Sequence, residues 1–168
     1  MHAIAVFTNR GLPRLLAEGG SQSWKLNPAR AGKLSYLVCV QNRNDGDWGE
    51  PTHQQGQAFL IGKISSVEQS PEAKAKDEDR HIINIAEYSE IDIPDFWQGW
   101  RNPVRYIELE DFGIDPRKLA FKPLTNNAGV PSLATSSSPQ GMDMAQAKKA
   151  LAAFYGVPTT SIEITIRG

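Results

Sequence analysis

The sequence predicts an α+β fold built on a small mixed β-barrel, with short peripheral helices and a C-terminal helix–strand tail. Three observations carry that expectation. Five or six strand-like runs, separated by long irregular loops, fill the first 124 or so of 168 residues. The composition changes at Thr125 to a small, polar, Pro-containing stretch. Nothing repeats at a fixed period, so a solenoid is excluded.

His2–Thr8 reads as the first strand, with Ile4, Val6 and Thr8 on one side and Ala3, Ala5 and Phe7 on the other. Apolar on both sides, it belongs in the middle of a sheet. Gly11-Leu12-Pro13 ends it, Arg14–Glu18 predicts a short helical turn, and Gly19-Gly20 stops that turn. Trp24–Pro28 opens a loop or short helix. Leu34–Val40 is dense in β-branched and aromatic groups and predicts a second strand. Asn42–Gln57 is a polar loop carrying Trp48. Ala58–Val67 is the next strand, with Gly62 as a bulge or close-approach point. The charged run Glu72–Arg80 predicts a solvated loop or short helix, and His81–Ile91 resumes strand character. Pro94–Asn102 is a loop with two tryptophans, and Val104–Leu109 a further strand. A short helix is expected around Ile114–Leu119, with Asp115 as its cap and Pro116 in its first turn.

The domain organisation follows: a barrel over 1–124, a linker over 125–141 and a docking tail over 142–168. In the tail, Asp143 caps a helix through Tyr155, and Ser161–Arg167 alternates Ile162, Ile164 and Ile166 against Glu163, Thr165 and Arg167. One helix and one strand cannot hold themselves together in water, so this tail must dock on the barrel or on a second chain. That opens a reading as an interaction protein, through a homodimer or an effector partner.

Several function classes are excluded at once. No run approaches the ~18 apolar residues that span a bilayer, and the first residues lack a signal-peptide core. A soluble cytoplasmic protein without membrane contact is expected. Cys39 is the lone cysteine, set between Val38 and Val40, and reads as a core residue. His2, His53 and His81 share no metal-motif spacing, so neither a metal nor a cofactor is expected. Asp77-Glu78-Asp79 reads as solvated charge rather than a cation site. Neither a nucleophile elbow, a P-loop nor a dinucleotide fingerprint is present.

Net charge is −1, but it is unevenly spread. Residues 1–43 hold six basic side chains (Arg10, Arg14, Lys25, Arg30, Lys33 and Arg43) against one acid, Glu18. Residues 44–95 hold twelve acids against four bases. The basic first quarter either makes a local phosphate-attracting face or pairs with the acidic middle. All four tryptophans, Trp24, Trp48, Trp97 and Trp100, lie outside the strand runs and have polar sequence neighbours. Such aromatic faces suit stacking on a flat ligand, although plugging of the barrel ends is the other use for them.

Trp24, the strand Tyr36-Leu-Val-Cys-Val-Gln-Asn42, a polar loop and Ala58-Phe-Leu-Ile-Gly-Lys-Ile-Ser-Ser-Val67 follow one another in order. Then come Ile82-Ile-Asn-Ile-Ala-Glu-Tyr88 and Trp97-Gln-Gly-Trp100-Arg-Asn-Pro103-Val104-Arg-Tyr106. This order resembles the core of EVE and YTH domains, over roughly residues 4–124. The resemblance implies a PUA-like barrel, related to ASCH domains, that encloses a modified base of single-stranded or flipped-out DNA or RNA, or a free nucleotide, in an aromatic cage. It carries the first cage wall onto Trp24, the second onto Trp97 or Trp100, and the polar lining onto Thr8, Asn9 and Asn42. Where the family has Lys-Ser after its first strand, this chain reads Phe7-Thr8-Asn9, which leaves the identity of the base open. Flanking phosphates would fall to Arg10, Arg14, Lys25, Arg101 and Arg105. By analogy with ASCH-type relatives, hydrolysis of a modified nucleoside is the alternative, and it needs Lys63 with Glu68 or Glu87 to converge in the pocket.

Overall fold

Strand β1 (His2–Thr8) sits inside the sheet, as its two apolar faces require, pairing in parallel with β3 (Tyr36–Gln41) and antiparallel with β6 (Val104–Glu108). The computed structural model describes residues 1–44, 46–73 and 79–125, all within one compact unit, Met1–Gly129. The expected linker beyond Thr125, the tail of residues 142–168, and Asp77 and Glu78 lie outside the described residues.

The sheet is mixed and curled into a half-barrel. Its strand order is β2-β5-β4-β3-β1-β6, where β2 is Gly20–Lys25, β4 is Ala58–Gln69 and β5 is Arg80–Ile93. A short β7 (Lys122–Pro123) also pairs with β5. Helix α1 (Leu12–Glu18) takes Pro13 in its first turn and ends at Gly19, whose φ of 81° is the left-handed cap glycine supplies without a Cβ penalty. Helix α2 (Pro28–Ala31) is capped by Asn27, whose side chain accepts from the Arg30 N–H at 2.9 Å. Among the described residues, no helix is long and apolar enough to cross a membrane.

Each face of the sheet has its own core. Ile4 and Val6 pack with Leu37, Cys39, Phe59 and Ile83 on one side, under Leu12, Leu15 and Leu16 of α1. Ala3 and Ala5 pack with Val38, Val40 and Ile61 on the other side, beneath the segment carrying Phe96, Leu109 and Ile114. Burial on both faces is why β1 and β3 read as continuous apolar runs. The short helix expected around Ile114–Leu119 is only a single 3-10 turn, Pro116–Lys118, capped by Asp115 accepting from the Arg117 N–H.

Strand β2 corrects the expectation that Trp24 opens a loop or short helix outside the strands, and places that tryptophan inside a strand. Gly-Ser-Gln-Ser-Trp-Lys has little intrinsic strand preference. It pairs because the long strand β5 offers it a ladder, an instance of tertiary context overriding propensity. Its polarity is accommodated inside: Ser21 and Gln22 are buried, and Gln22 Oε1 accepts from the Ser70 hydroxyl at 3.1 Å. At Gly20 a Cβ would stand 2.1 Å from the Ile83 carbonyl oxygen, so glycine is needed for the close approach of β2 to β5. The pairing is irregular between Ser21 and Trp24, where Ser23 takes a φ of 72°. Gly62 is likewise a close-approach point: a Cβ there would stand 2.6 Å from Ile85 Cγ2.

A cleft at the carboxyl ends of the parallel strands

Parallel strands end together, and beyond the ends of β1 and β3 the chain opens a cleft of about 320 Å³. Thr8 pairs with Gln41 at these ends, and the Asn42 N–H donates to the Thr8 carbonyl at 2.8 Å. Gln41 is wholly buried and ties the strand ends to the following loop. Its Nε2 donates to the Thr8 carbonyl at 3.0 Å, and its Oε1 accepts from the Thr52 N–H at 3.1 Å. These bonds use backbone or a buried amide, and they brace the rim.

Thr8, Asn9, Trp24 and Asn42, drawn from separate stretches of sequence, all line this cleft, together with Arg10 and Trp48. Thr8 Oγ1 accepts from the Arg10 N–H at 3.1 Å. Asn9 is 5% exposed, and its Nδ2 is a buried donor without a hydrogen-bond partner. Such an orphan costs about 1–3 kcal/mol unless something accepts from it. Trp24 is half-buried, and its Nε1 donates to Ser21 Oγ at 2.9 Å. With the N–H engaged, the indole has only its ring surface to offer a ligand.

Trp48 is 52% exposed, and the sequence reading did not assign it to the cleft. Two glycines put it there. A Cβ on Gly49 would stand 2.2 Å from the Asn9 carbonyl oxygen, and one on Gly11 would stand 2.0 Å from the Glu50 oxygen. The two loops thus cross backbone to backbone, with the Gly11 N–H donating to the Gly49 carbonyl at 2.9 Å. The Arg10 and Arg14 guanidiniums lie 5.3 and 5.1 Å from the Trp48 ring centroid, within cation–π range. Arg14 Nη1 also donates to the Trp48 carbonyl at 2.7 Å. The signal in the sequence was Asp-Trp-Gly, a large aromatic next to a glycine in a polar loop.

The basic groups divide differently from the sequence expectation. Arg10 is only 4% exposed, with Nε 2.7 Å from Glu18 and Nη2 2.6 Å from Glu72. It joins the acidic middle segment, so its charge braces the cleft from within. Arg14 pairs with Glu18 at 2.9 Å, and Lys25 with Asp79 at 3.2 Å. Arg101 is exposed, and neither it nor Arg105 lines the cleft.

Burial pushes the Glu72 carboxyl up, but hydrogen bonds from Arg10 and Ser23 and the charges of Arg10 and Arg14 outweigh it and hold the group below its ordinary 4.5. A lowered carboxylate stabilises the fold above its ordinary value, and that contribution disappears as pH falls through the lowered one. Thermal melts of Glu72→Gln against the parent are expected to differ at pH 6 and to converge as pH drops below about 4.5.

Trp97 and Trp100 lie outside the cleft. Trp97 stacks flat on Phe7, with centroids 4.6 Å apart and planes 4° apart. Its Nε1 donates to the Trp100 carbonyl at 3.2 Å. Trp100 meets Phe96 and Phe112 edge-on. Both tryptophans pack onto the outer face of the sheet, while the Phe7 between Trp97 and the cleft belongs to its lining.

The polar groups considered for hydrolysis do not converge here. Lys63 and Glu87 pair at 2.6 Å across β4 and β5, Glu68 accepts from Ser66 Oγ at 2.6 Å, and none of the three lines the cleft. Burial pushes the Cys39 thiol up, so it is no thiolate at neutral pH. His53 stacks on Phe59 at 4.6 Å, and its pKa is lowered by burial against the opposing pull of Asp92 and Glu90. Among the described residues, no group of three or more His, Cys, Asp or Glu side chains is arranged to hold a metal ion. Compared with known proteins, the chain matches no family model, and neither a curated protein nor a solved structure shows significant similarity to it.

Proposed function

We propose that the protein is a non-catalytic reader of a modified nucleobase in single-stranded or flipped-out nucleic acid, built on a PUA-like barrel of the EVE/YTH kind. The base is held in the cleft at the ends of β1 and β3, with Trp24 and Trp48 as the aromatic walls. The observation that carries this reading is a cleft lined by two indoles and by Asn9, whose Nδ2 is buried without a partner. A base offers what both need: a π face for the indoles, at about 1–3 kcal/mol per stacked base, and a ring nitrogen or carbonyl acceptor for the amide. Trp97 and Trp100 take no part in the cage, since Trp97 packs behind Phe7 and Trp100 against Phe96 and Phe112.

A methyl on an exocyclic amine adds no acceptor, so discrimination comes from shape and is worth about 1 kcal/mol by area, somewhat more against aromatic rings. Arg80 in the cleft lining, with Arg14 at the Trp48 loop and Lys25 next to Trp24 exchanging their Glu18 and Asp79 partners, supplies positive charge for flanking phosphates. The test is a tryptophan-fluorescence titration with short single-stranded DNA and RNA, each plain or carrying methyladenine, methylcytosine or hydroxymethylcytosine. Saturable quenching by one modified oligonucleotide, about fivefold or more below its plain counterpart, is expected from that methyl term. Equal responses to plain and modified strands, or none, would remove the reader function.

A further inference from the structure

Strand β6 ends the sheet, and among the described residues no strand pairs with its outer side. The Phe7 N–H donates to the Pro103 carbonyl and the Leu109 N–H to the Met1 carbonyl, so the odd-numbered residues of this stretch face β1. Tyr106 and Glu108 therefore turn their N–H and C=O groups outward, while the Val104 N–H is already taken by Asn102 Oδ1 at 3.1 Å. Most exposed edges are blunted by charge, proline or a cover. This one lies in a groove of about 750 Å³. Arg30 and Leu34 form one wall, Trp100 and Phe112 the other.

The two walls carry matched chemistry. The Arg30 guanidinium lies 3.8 Å from the Tyr106 ring centroid, on the Ile4 and Val6 side of the sheet. The Arg105 guanidinium lies 5.0 Å from the Trp100 ring centroid, on the opposite side. Neither arginine is paired with a carboxylate among the described residues, whereas Glu108 in the same groove is engaged by the Met1 ammonium and by His2. The Tyr106 hydroxyl is buried without a partner.

We propose that this edge is a docking site for an extended acidic peptide segment of a partner protein, which adds to β6 as a further strand. Main-chain bonds to Tyr106 and Glu108 supply the register, and the flanking arginines supply the specificity. Successive side chains of an extended strand point to opposite faces, so engaging Arg30 and Arg105 together calls for two adjacent acidic residues. A second copy of this chain fits less well, because its own β6 edge is recessed between the same walls and two recessed edges cannot meet. Nucleic acid is disfavoured because it has no main chain to pair with the outward amides of Tyr106 and Glu108 and would leave them unused. This site is separate from the cleft and does not depend on its proposed function.

The test selects binders to the full chain from a phage-displayed library of random ten-residue peptides, then titrates the synthetic winner by calorimetry. An enriched family with an adjacent acidic pair is expected. Glu108→Pro removes one outward N–H and is expected to weaken binding about tenfold or more, while Glu108→Gln, which keeps that N–H, stays within about twofold. Arg30→Gln and Arg105→Gln are each expected to cost several-fold. Should Glu108→Pro fail to fold, hydrogen exchange on the parent decides: the peptide must slow the Tyr106 and Glu108 amides. No enriched family, binding indifferent to Glu108→Pro, unprotected amides, or displacement of the peptide by a ten-nucleotide dT strand would each overturn the proposal.

Discussion

Replacing Trp48 by alanine is expected to weaken binding of the modified oligonucleotide about tenfold or more while leaving the melting temperature nearly unchanged. The two halves of that expectation rest on separate observations. Half of the Trp48 surface is in solvent, and its main protein contacts are the guanidiniums of Arg10 and Arg14, worth about 0.5–1 kcal/mol each at an exposed site. Both arginines keep their ion pairs with Glu18 and Glu72 when the ring is gone. Little folding free energy is therefore at stake. The ligand, by contrast, loses one stacking surface, worth about 1–3 kcal/mol. Fluorescence titration of the remaining tryptophans, paired with a thermal melt, measures both quantities. A variant that binds like the parent would show that Trp48 is only a solvent-exposed side chain.

Gly49→Ala is expected to do more damage than the deletion of the ring beside it. The added Cβ meets the Asn9 oxygen at 2.2 Å and the Arg10 nitrogen at 2.9 Å. Both are backbone atoms fixed by their place at the end of β1, so they cannot swing aside as a side chain would. The Trp48 loop must lift away from the Asn9–Gly11 loop, breaking the bond between the Gly11 N–H and the Gly49 carbonyl. Overpacking of this kind costs about 1–3 kcal/mol, and the lift carries Trp48 off the cleft. Loss of binding at least equal to that of Trp48→Ala is expected, together with a melting temperature several degrees lower. Glycine at this position is thus a requirement of the site as well as of the fold.

The strands that bury both faces were the most legible part of the chain. β1, β3 and the first half of β4 announce themselves because apolar residues on both sides leave few other ways to satisfy the chain. β2 was opaque for the opposite reason: its polar residues become a strand only once β5 is present to pair with them. Within the site, Thr8 and Asn9 are reached only through the family resemblance, at the end of a strand that the sequence makes recognisable. The tryptophans could not be sorted from sequence, since polar neighbours describe a loop and say nothing about which face of the sheet the loop covers. Trp97 and Trp48 both stand in turn-rich stretches. One is captured by Phe7 and the outer core, and the other is held over the cleft by two backbone contacts at glycine. Such contacts between distant loops have no local signature.

Asn9 links the fold to the proposed chemistry most tightly, because a buried amide without a partner is costly in the free protein and useful only once a ligand arrives. Amide-resolved NMR of the labelled protein, titrated with the modified oligonucleotide, reads that atom directly. The Asn9 side-chain amide and the indole N–H signals of Trp24 and Trp48 are expected to move together and to saturate with the strand. Movement confined to Trp97 and Trp100, or to the groove along β6, with the Asn9 amide unchanged, would contradict the account.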